Sequence, residues 1–120
     1  MYKLILHKYA QCGFDGYSSE THERIFYSYD TPIYSIYKER VGDLTSFRIQ
    51  CINAPRHSTT TACQTTWSLY EELLHHDCAR YVRQLLQKCD GGEKIYIIRD
   101  IENGIWCAFV GDKLQRTFNA

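Results

Sequence analysis

The sequence predicts an α+β fold, with an antiparallel sheet of about five to six strands and one or two helices packed on one face. Three observations support this prediction. Short β-prone runs fill the first half of the chain, two runs with helical periodicity follow, and an Asn-Gly pair separates two apolar runs near the C-terminus. Strands and helices that are segregated along a chain favour this class. A length of 120 residues predicts one domain, residues 1–120, with a single hydrophobic core.

Four strands are predicted in the first half of the chain from alternating, β-branched and aromatic residues. They cover Tyr2–His7, Arg24–Tyr29, Ile33–Lys38 and Phe47–Ile52. The turn-rich run that starts at Cys12 and ends at Glu20 is expected to be a loop. Because proline cannot donate a hydrogen bond to a sheet, Asp30-Thr31-Pro32 is expected to be a turn or a sheet edge.

Two helices are predicted in the middle of the chain. Ser58 and the threonines after it offer side-chain oxygens that cap a helix N-terminus. The first helix is expected to bury one stripe of residues at i, i+4, i+7 and i+11, namely Cys63, Trp67, Tyr70 and Leu74. Asp77 is expected to cap a second helix, whose stripe comprises Cys78, Tyr81, Val82, Leu85, Leu86 and Cys89. Asp90-Gly91-Gly92 ends it.

A hairpin is predicted near the C-terminus. Its strands are Ile95–Arg99 and Ile105–Val110, and Asn103-Gly104 lies between them. Asn-Gly favours a type I′ turn, in which both central residues have positive φ. Gly111-Asp112 is expected to turn the chain into a last strand, Leu114–Phe118.

Composition and charge make several functional classes less favourable. Fourteen basic residues balance fourteen acidic ones, so the chain lacks the basic field of a dedicated nucleic-acid binder and is not an acidic DNA mimic. Without a signal peptide or an apolar run of about 18 residues, the protein is expected to be cytoplasmic and without a membrane partner. The six cysteines show no Cys-x₂-Cys spacing, so free thiols and no metal site are predicted.

No catalytic residues and no cofactor are predicted. A glycine-rich phosphate loop is missing, because Gly91-Gly92 follows a helix instead of opening one. An enzyme centred on Cys12 or His57 is the third functional alternative. Such an enzyme needs a positioned histidine beside its thiolate, and no family signature surrounds either residue.

Tyrosine is the most distinctive residue of the sequence. Ten residues are Tyr, and four of them fall between positions 27 and 37. Tyrosine suits recognition surfaces because it joins a large apolar ring to a polar tip. The predicted partner-binding surface therefore comprises Tyr27, Tyr29, Tyr34, Tyr37 and the neighbouring Arg40, and Tyr27 and Tyr29 are expected to share one sheet face. A homodimer through this edge or through the C-terminal hairpin is a further option.

An anion site is the second functional alternative. Ser58, Thr59 and Thr60 open the first predicted helix, where free backbone N–H groups and hydroxyls attract phosphate. Arg80 and Arg83 lie on the polar face of the second helix. Together these five residues suggest a nucleic-acid or nucleotide-binding module, although a helix cap alone also explains the hydroxyl run.

Part of the sequence resembles small phage-encoded proteins. In these proteins an SY-x-TP strand segment precedes an S-x-TT element and a helix. The matching residues here are Ser28-Tyr29-Asp30-Thr31-Pro32 and Ser58-Thr59-Thr60-Thr61, within roughly residues 24–75. The chain departs from the pattern around Val41-Gly42-Asp43 and in its C-terminal helix and hairpin.

The resemblance implies an accessory protein of a bacteriophage or mobile element. It supplies no catalytic residues. The leading hypothesis is a stoichiometric inhibitor of a host defence complex, most concretely an anti-CRISPR protein, which acts in the host cytoplasm by steric occlusion. Its partner would be a host protein or nucleoprotein complex.

Overall fold

A seven-stranded antiparallel sheet dominates the computed structural model, which describes residues 12–15, 23–55, 59–88 and 93–120. Each strand pairs with its neighbours along the chain, in the order β1 to β7. The strands are β1 (Cys12–Asp15), β2 (Glu23–Ser28), β3 (Thr31–Val41), β4 (Leu44–Cys51), β5 (Lys94–Asp100), β6 (Ile105–Val110) and β7 (Lys113–Asn119). The predicted α+β class is confirmed.

Two helices, α1 (Thr59–Leu73) and α2 (His76–Lys88), lie between β4 and β5 in the chain and pack on one face of the sheet. The core lies between these two layers. Its fully buried side chains alternate along the strands with half-buried ones on the other face, as the period of a strand requires. The sheet contributes Phe47, Ile49 and Ile97, and the helices contribute Leu69, Val82 and Leu86.

The N-terminal elements differ from the prediction. Cys12–Asp15 is strand β1 and not a loop, because it pairs with β2 in the register Cys12↔Ser28 to Asp15↔Ile25. The strand predicted at 2–7 lies outside the described residues. Pro32 lies inside β3, opposite Tyr27, where the pairing of β2 and β3 shifts register. A bulge tolerates proline because the ladder is already interrupted there.

The turns use glycine where backbone conformation demands it. Gly42 and Gly111 each open a two-residue turn with φ near 61 and 62°, and a Cβ at either site would meet no atom within 4 Å. The positive φ alone therefore favours glycine. The predicted type I′ turn at Asn103-Gly104 is wrong. Only Gly104 has positive φ, and the loop spans 101–104 because the Asp100 carboxylate accepts the Asn103 backbone N–H at 3.1 Å.

Helix α1 buries a more polar face than its sequence predicts. Trp67 and Leu74 are 41% and 52% exposed, so these two members of the predicted stripe do not face the core, whereas Tyr70 is half-buried and packs against it. The buried side chains include Gln64, Thr65, Ser68, Leu69 and Leu73. The sheet below α1 supplies hydrogen-bond partners that make this face acceptable: Ser28 donates to Gln64 Oε1 at 2.5 Å, and Tyr34 Oη lies 2.7 Å from Ser68 Oγ.

The boundary between the helices is set by His75 and not by Asp77. His75 Nδ1 accepts the backbone N–H of Cys78 at 3.1 Å, which is the bond that an N-cap side chain makes. Since Nδ1 accepts, Nε2 carries the proton, and it donates to the Asn119 carbonyl at 2.9 Å. Helix α1 ends just before, at Leu74, whose φ of 61° is left-handed.

Candidate binding surfaces

The open face of the sheet carries a row of aromatic side chains. Cross-strand pairing aligns Tyr37 of β3 with Arg48 of β4, Arg48 with Tyr96 of β5, and Tyr96 with Phe109 of β6. All four side chains are half-buried. We call these four residues the aromatic row. The Arg48 guanidinium lies over the Tyr37 ring, 4.9 Å from its centroid, so a cation–π contact holds the charge at the surface.

The row ends in a shallow depression of about 820 Å³. Tyr96, Ile98 and Phe109 form its apolar side, and Glu93, Lys94 and Asp112 bring both signs of charge to it. Such a concave patch with an apolar centre and a polar rim is what a protein interface needs.

The five predicted partner-binding residues do not form one surface. By strand alternation Tyr27 and Tyr37 lie on the open face, and both are half-buried. Tyr34 is completely buried, because it faces α1 and hydrogen-bonds Ser68. Arg40 pairs with Thr45 on the helix side of the sheet and donates to the Gly42 carbonyl at 3.3 Å.

Tyr29 occupies a turn and not the strand predicted for it, since β2 ends at Ser28. Ser28 pairs with Thr31, so Tyr29 and Asp30 form a two-residue turn. The φ of Tyr29 is 55°, a left-handed conformation that costs a non-glycine residue about 1 kcal/mol or more. Its ring is 52% exposed.

A groove lies between α1 and α2, with a volume of about 480 Å³. We call it the helix groove. In the part of the chain that the structure describes, its walls hold two arginines and one histidine but no carboxylate. The lining residues are Pro55, Thr59, Ala62, Cys63, Thr66, Trp67, His76, Arg80, Arg83 and Gln87. The structure thus brings together three predicted anion-site residues, Thr59, Arg80 and Arg83. Thr60 is exposed outside the lining, and Ser58 lies outside the described residues.

Arg83 is held in place by neutral partners. Its Nε donates to Thr66 Oγ1 at 3.1 Å, and its Nη1 donates to Gln87 Oε1 at 2.9 Å. Gln87 in turn donates to the Pro55 carbonyl at 3.2 Å. None of these described partners is an anion, and together they fix the position of the guanidinium.

An aromatic cluster closes one end of the groove. The Trp67, Tyr70 and His76 ring centroids lie 5.8 to 6.1 Å apart in edge-on arrangements. The sequence pattern predicts that Trp67 lies in the core, so it did not predict an aromatic cluster at the surface. A usable signal was present, since Trp67 shares the helical face of Thr59 and Cys63 at i, i+4 and i+8.

The buried polar side chains have structural roles. Burial lowers the pKa of Arg99, and the nearby Glu72 carboxylate partly offsets this. Arg99 donates to the Glu72 carbonyl at 2.6 Å, and Glu72 forms an ion pair with Arg24. Since the last carbonyls of a helix lack partners within it, Arg99 stabilises the C-terminus of α1.

The cysteines whose side chains are described include Cys78, which is buried in the core. Cys51, Cys63, Cys78 and Cys107 are free. Burial raises the pKa of Cys78 to about 12, so its thiol stays protonated at neutral pH and is a poor nucleophile. The side chains of Cys12 and His57, which an enzyme hypothesis would need, lie outside the described residues.

Comparison with known proteins gives no relative. No protein-family model matches the chain, and neither curated proteins nor solved structures give a significant match. Among the helices that the structure describes, none is long and apolar enough to cross a membrane. The aromatic row and the helix groove, which lie on opposite sides of the sheet, are the two candidate binding surfaces.

Proposed function

We propose that the protein binds another protein through the open face of its sheet and inhibits that partner by steric occlusion. The observation that carries this proposal is the aromatic row. Tyrosine and arginine dominate the energetics of protein interfaces, where they lie in well-packed central positions. Here two tyrosines flank one arginine on three adjacent strands, so the backbone pairing holds the contact residues rigid before the partner arrives.

Charge favours a protein over a nucleic acid on this face. Strand alternation places Glu23, Glu39 and Asp100 on the open face, against Arg48 and Lys94. A phosphate backbone needs a surplus of basic side chains, and this face has none. Mixed charge around half-exposed aromatic rings suits a protein surface instead.

The resemblance to small phage proteins suggests which partner the protein binds. The partner is a host defence complex in the bacterial cytoplasm, most concretely a CRISPR effector, and the protein is an anti-CRISPR inhibitor. Tyr29, in the turn between β2 and β3, also supports a role in recognition. Its exposed aromatic side chain is retained in a left-handed turn at a cost in stability.

Phage plating tests this proposal. The protein is expressed in bacterial strains that each carry one CRISPR system directed against a phage, and binding to the purified effector complex is measured in parallel. We expect the wild-type protein to restore plating in a sensitive strain. The double variant Tyr37→Ala/Tyr96→Ala should weaken the complex by about 30-fold or more, as loss of an interface hot spot does, and plating should fall.

Trp67→Ala is the matched control, since it removes an exposed aromatic side chain from the opposite side of the sheet. It should bind the effector as the wild type does. Thermal denaturation shows that each variant is folded. If the wild-type protein neither restored plating nor bound any effector, inhibition of CRISPR would be ruled out. If the double variant kept full affinity, the aromatic row would not be the interface.

A further inference from the structure

We infer that the helix groove is a nucleotide-binding site, with a base on Trp67 and phosphate on Arg80 and Arg83. This site goes beyond the proposed protein interface and does not depend on it. The ligand chemistry is an aromatic base joined to a phosphate, which either a free mononucleotide or a single-stranded nucleic acid supplies.

Charge points to an anionic ligand. Among the residues that the structure describes, the groove walls contain Arg80, Arg83 and His76 and no carboxylate, although the chain as a whole is neutral. Arg80 is exposed. Arg83 is fixed by Thr66 and Gln87, so little side-chain entropy is lost when it binds a phosphate oxygen.

The distribution of side chains along the groove points to a nucleotide and not to a bare anion. The helices run so that Trp67 contacts His76 at one end, while Gln87 contacts Pro55 at the other. Arg83 lies between the two ends, because its Nε donates to Thr66, the residue before Trp67. On α2, four and seven residues separate His76 from Arg80 and Arg83, a rise of about 6 Å and 10 Å, which is the scale of one nucleotide.

Trp67 is suited to stack on a base. It is 41% exposed, and its ring is buttressed edge-on by Tyr70 and His76. Stacking on an aromatic side chain accepts any base, because every base has a π-face. The groove volume of about 480 Å³ lies within the range of small-molecule sites.

Titration calorimetry and tryptophan fluorescence test this inference on the full chain at low salt. The probes are AMP, inorganic phosphate and an oligodeoxythymidylate of about ten nucleotides. Trp106 is only 5% exposed, so quenching by a ligand reports on Trp67. We expect AMP to bind with a Kd of about 1 mM or below, to quench the emission, and to bind more weakly as salt rises.

Three variants locate the ligand. Arg80→Gln and Arg83→Gln should each weaken AMP binding by about tenfold or more, because each removes a charge-assisted hydrogen bond. Trp67→Ala should weaken AMP by about fivefold or more and leave phosphate affinity unchanged. Lys113→Gln removes an exposed positive charge outside the groove and should change nothing.

Comparison of the oligonucleotide with AMP distinguishes the two sources of the ligand, a single-stranded nucleic acid and a free nucleotide. Much tighter binding of the oligonucleotide than of AMP identifies single-stranded nucleic acid, and equal or weaker binding identifies the free nucleotide. The inference is overturned if neither AMP nor the oligonucleotide saturates the protein. It is also overturned if Arg80→Gln, whose exposed side chain is not needed for folding, binds AMP as the wild type does.

Discussion

Leu74 adopts a left-handed backbone conformation that glycine adopts freely. It ends α1 with its N–H bonded to the Tyr70 carbonyl at 2.8 Å, the αL form of helix termination. We expect that Leu74→Gly does not lower the free energy of unfolding. The relief of backbone strain, about 1 kcal/mol, offsets the conformational entropy that glycine adds to the unfolded chain.

Leu114→Gly is the matched control. Leu114 is similarly exposed, at 55%, but lies inside β7, where glycine should cost about 0.5–1 kcal/mol. Urea denaturation measures both. Equal destabilisation by the two substitutions would contradict the strained conformation of Leu74.

Because of the Cys78 thiol, the free energy of unfolding is expected to change with pH in the alkaline range. Its pKa is about 12 in the folded protein, against a usual value of 9.0. Between these values the folded chain keeps a proton that the unfolded chain loses. The contribution to stability is therefore fully present below pH 9 and decreases as pH rises toward 12.

Cys78→Ala isolates this effect, because the tyrosines and lysines that titrate in the same range are common to both proteins. We expect the free energy of unfolding of the wild type to fall more steeply above pH 9 than that of Cys78→Ala, as measured by urea denaturation at several pH values. Parallel curves would show that Cys78 does not contribute.

At the scale of elements, α1 shows how hydrophobic periodicity misleads. Its apolar stripe suggested a core face, yet the sheet beneath offers hydroxyl groups at Ser28 and Tyr34, and these pair with Gln64 and Ser68. Periodicity on one helix carries no information about the side chains opposite it. The strands β2 to β7 were predictable because the alternation of their residues is a local property.

The buried hydroxyl chain from Tyr34 through Ser68 to the Thr65 carbonyl supports a double-mutant cycle. Ser68 donates to Thr65 at 2.8 Å, so Tyr34 is the donor to Ser68. Ser68→Ala removes the acceptor of the buried Tyr34 hydroxyl and should cost about 1 kcal/mol. Tyr34→Phe should cost about 1 kcal/mol.

Each single substitution already removes the hydrogen bond between the two hydroxyl groups, so the combined cost should be smaller than the sum by about 0.5 kcal/mol or more. Chemical denaturation of the four proteins measures this coupling. Additive costs would mean that the two hydroxyl groups do not interact.

At the scale of the whole molecule, the sheet separates two surfaces of different composition. The open face carries the aromatic row among side chains of both charges, and the described lining of the helix groove contains Arg80 and Arg83 and no carboxylate. The balanced charge of the sequence masks this division, because a sum over the chain ignores which face each side chain occupies. Predicted Thr59, Arg80 and Arg83 did converge, since two neighbouring helices bring their facing residues together.

The position of the helices in the chain bears on how two copies of this protein would behave together. Strands β4 and β5 are neighbours, but residues 52–93 separate them along the chain, whereas two-residue turns join β3 to β4 and β6 to β7. Because loop-closure entropy grows with the number of residues between the paired ends, the β4–β5 pairing within one chain is entropically less favoured than the pairing across such a turn. Strands β5 to β7 of a second copy can pair with β4 equally well, because they would form the same backbone hydrogen bonds. Concentrated protein is therefore expected to exchange its C-terminal strands between chains, giving a domain-swapped dimer.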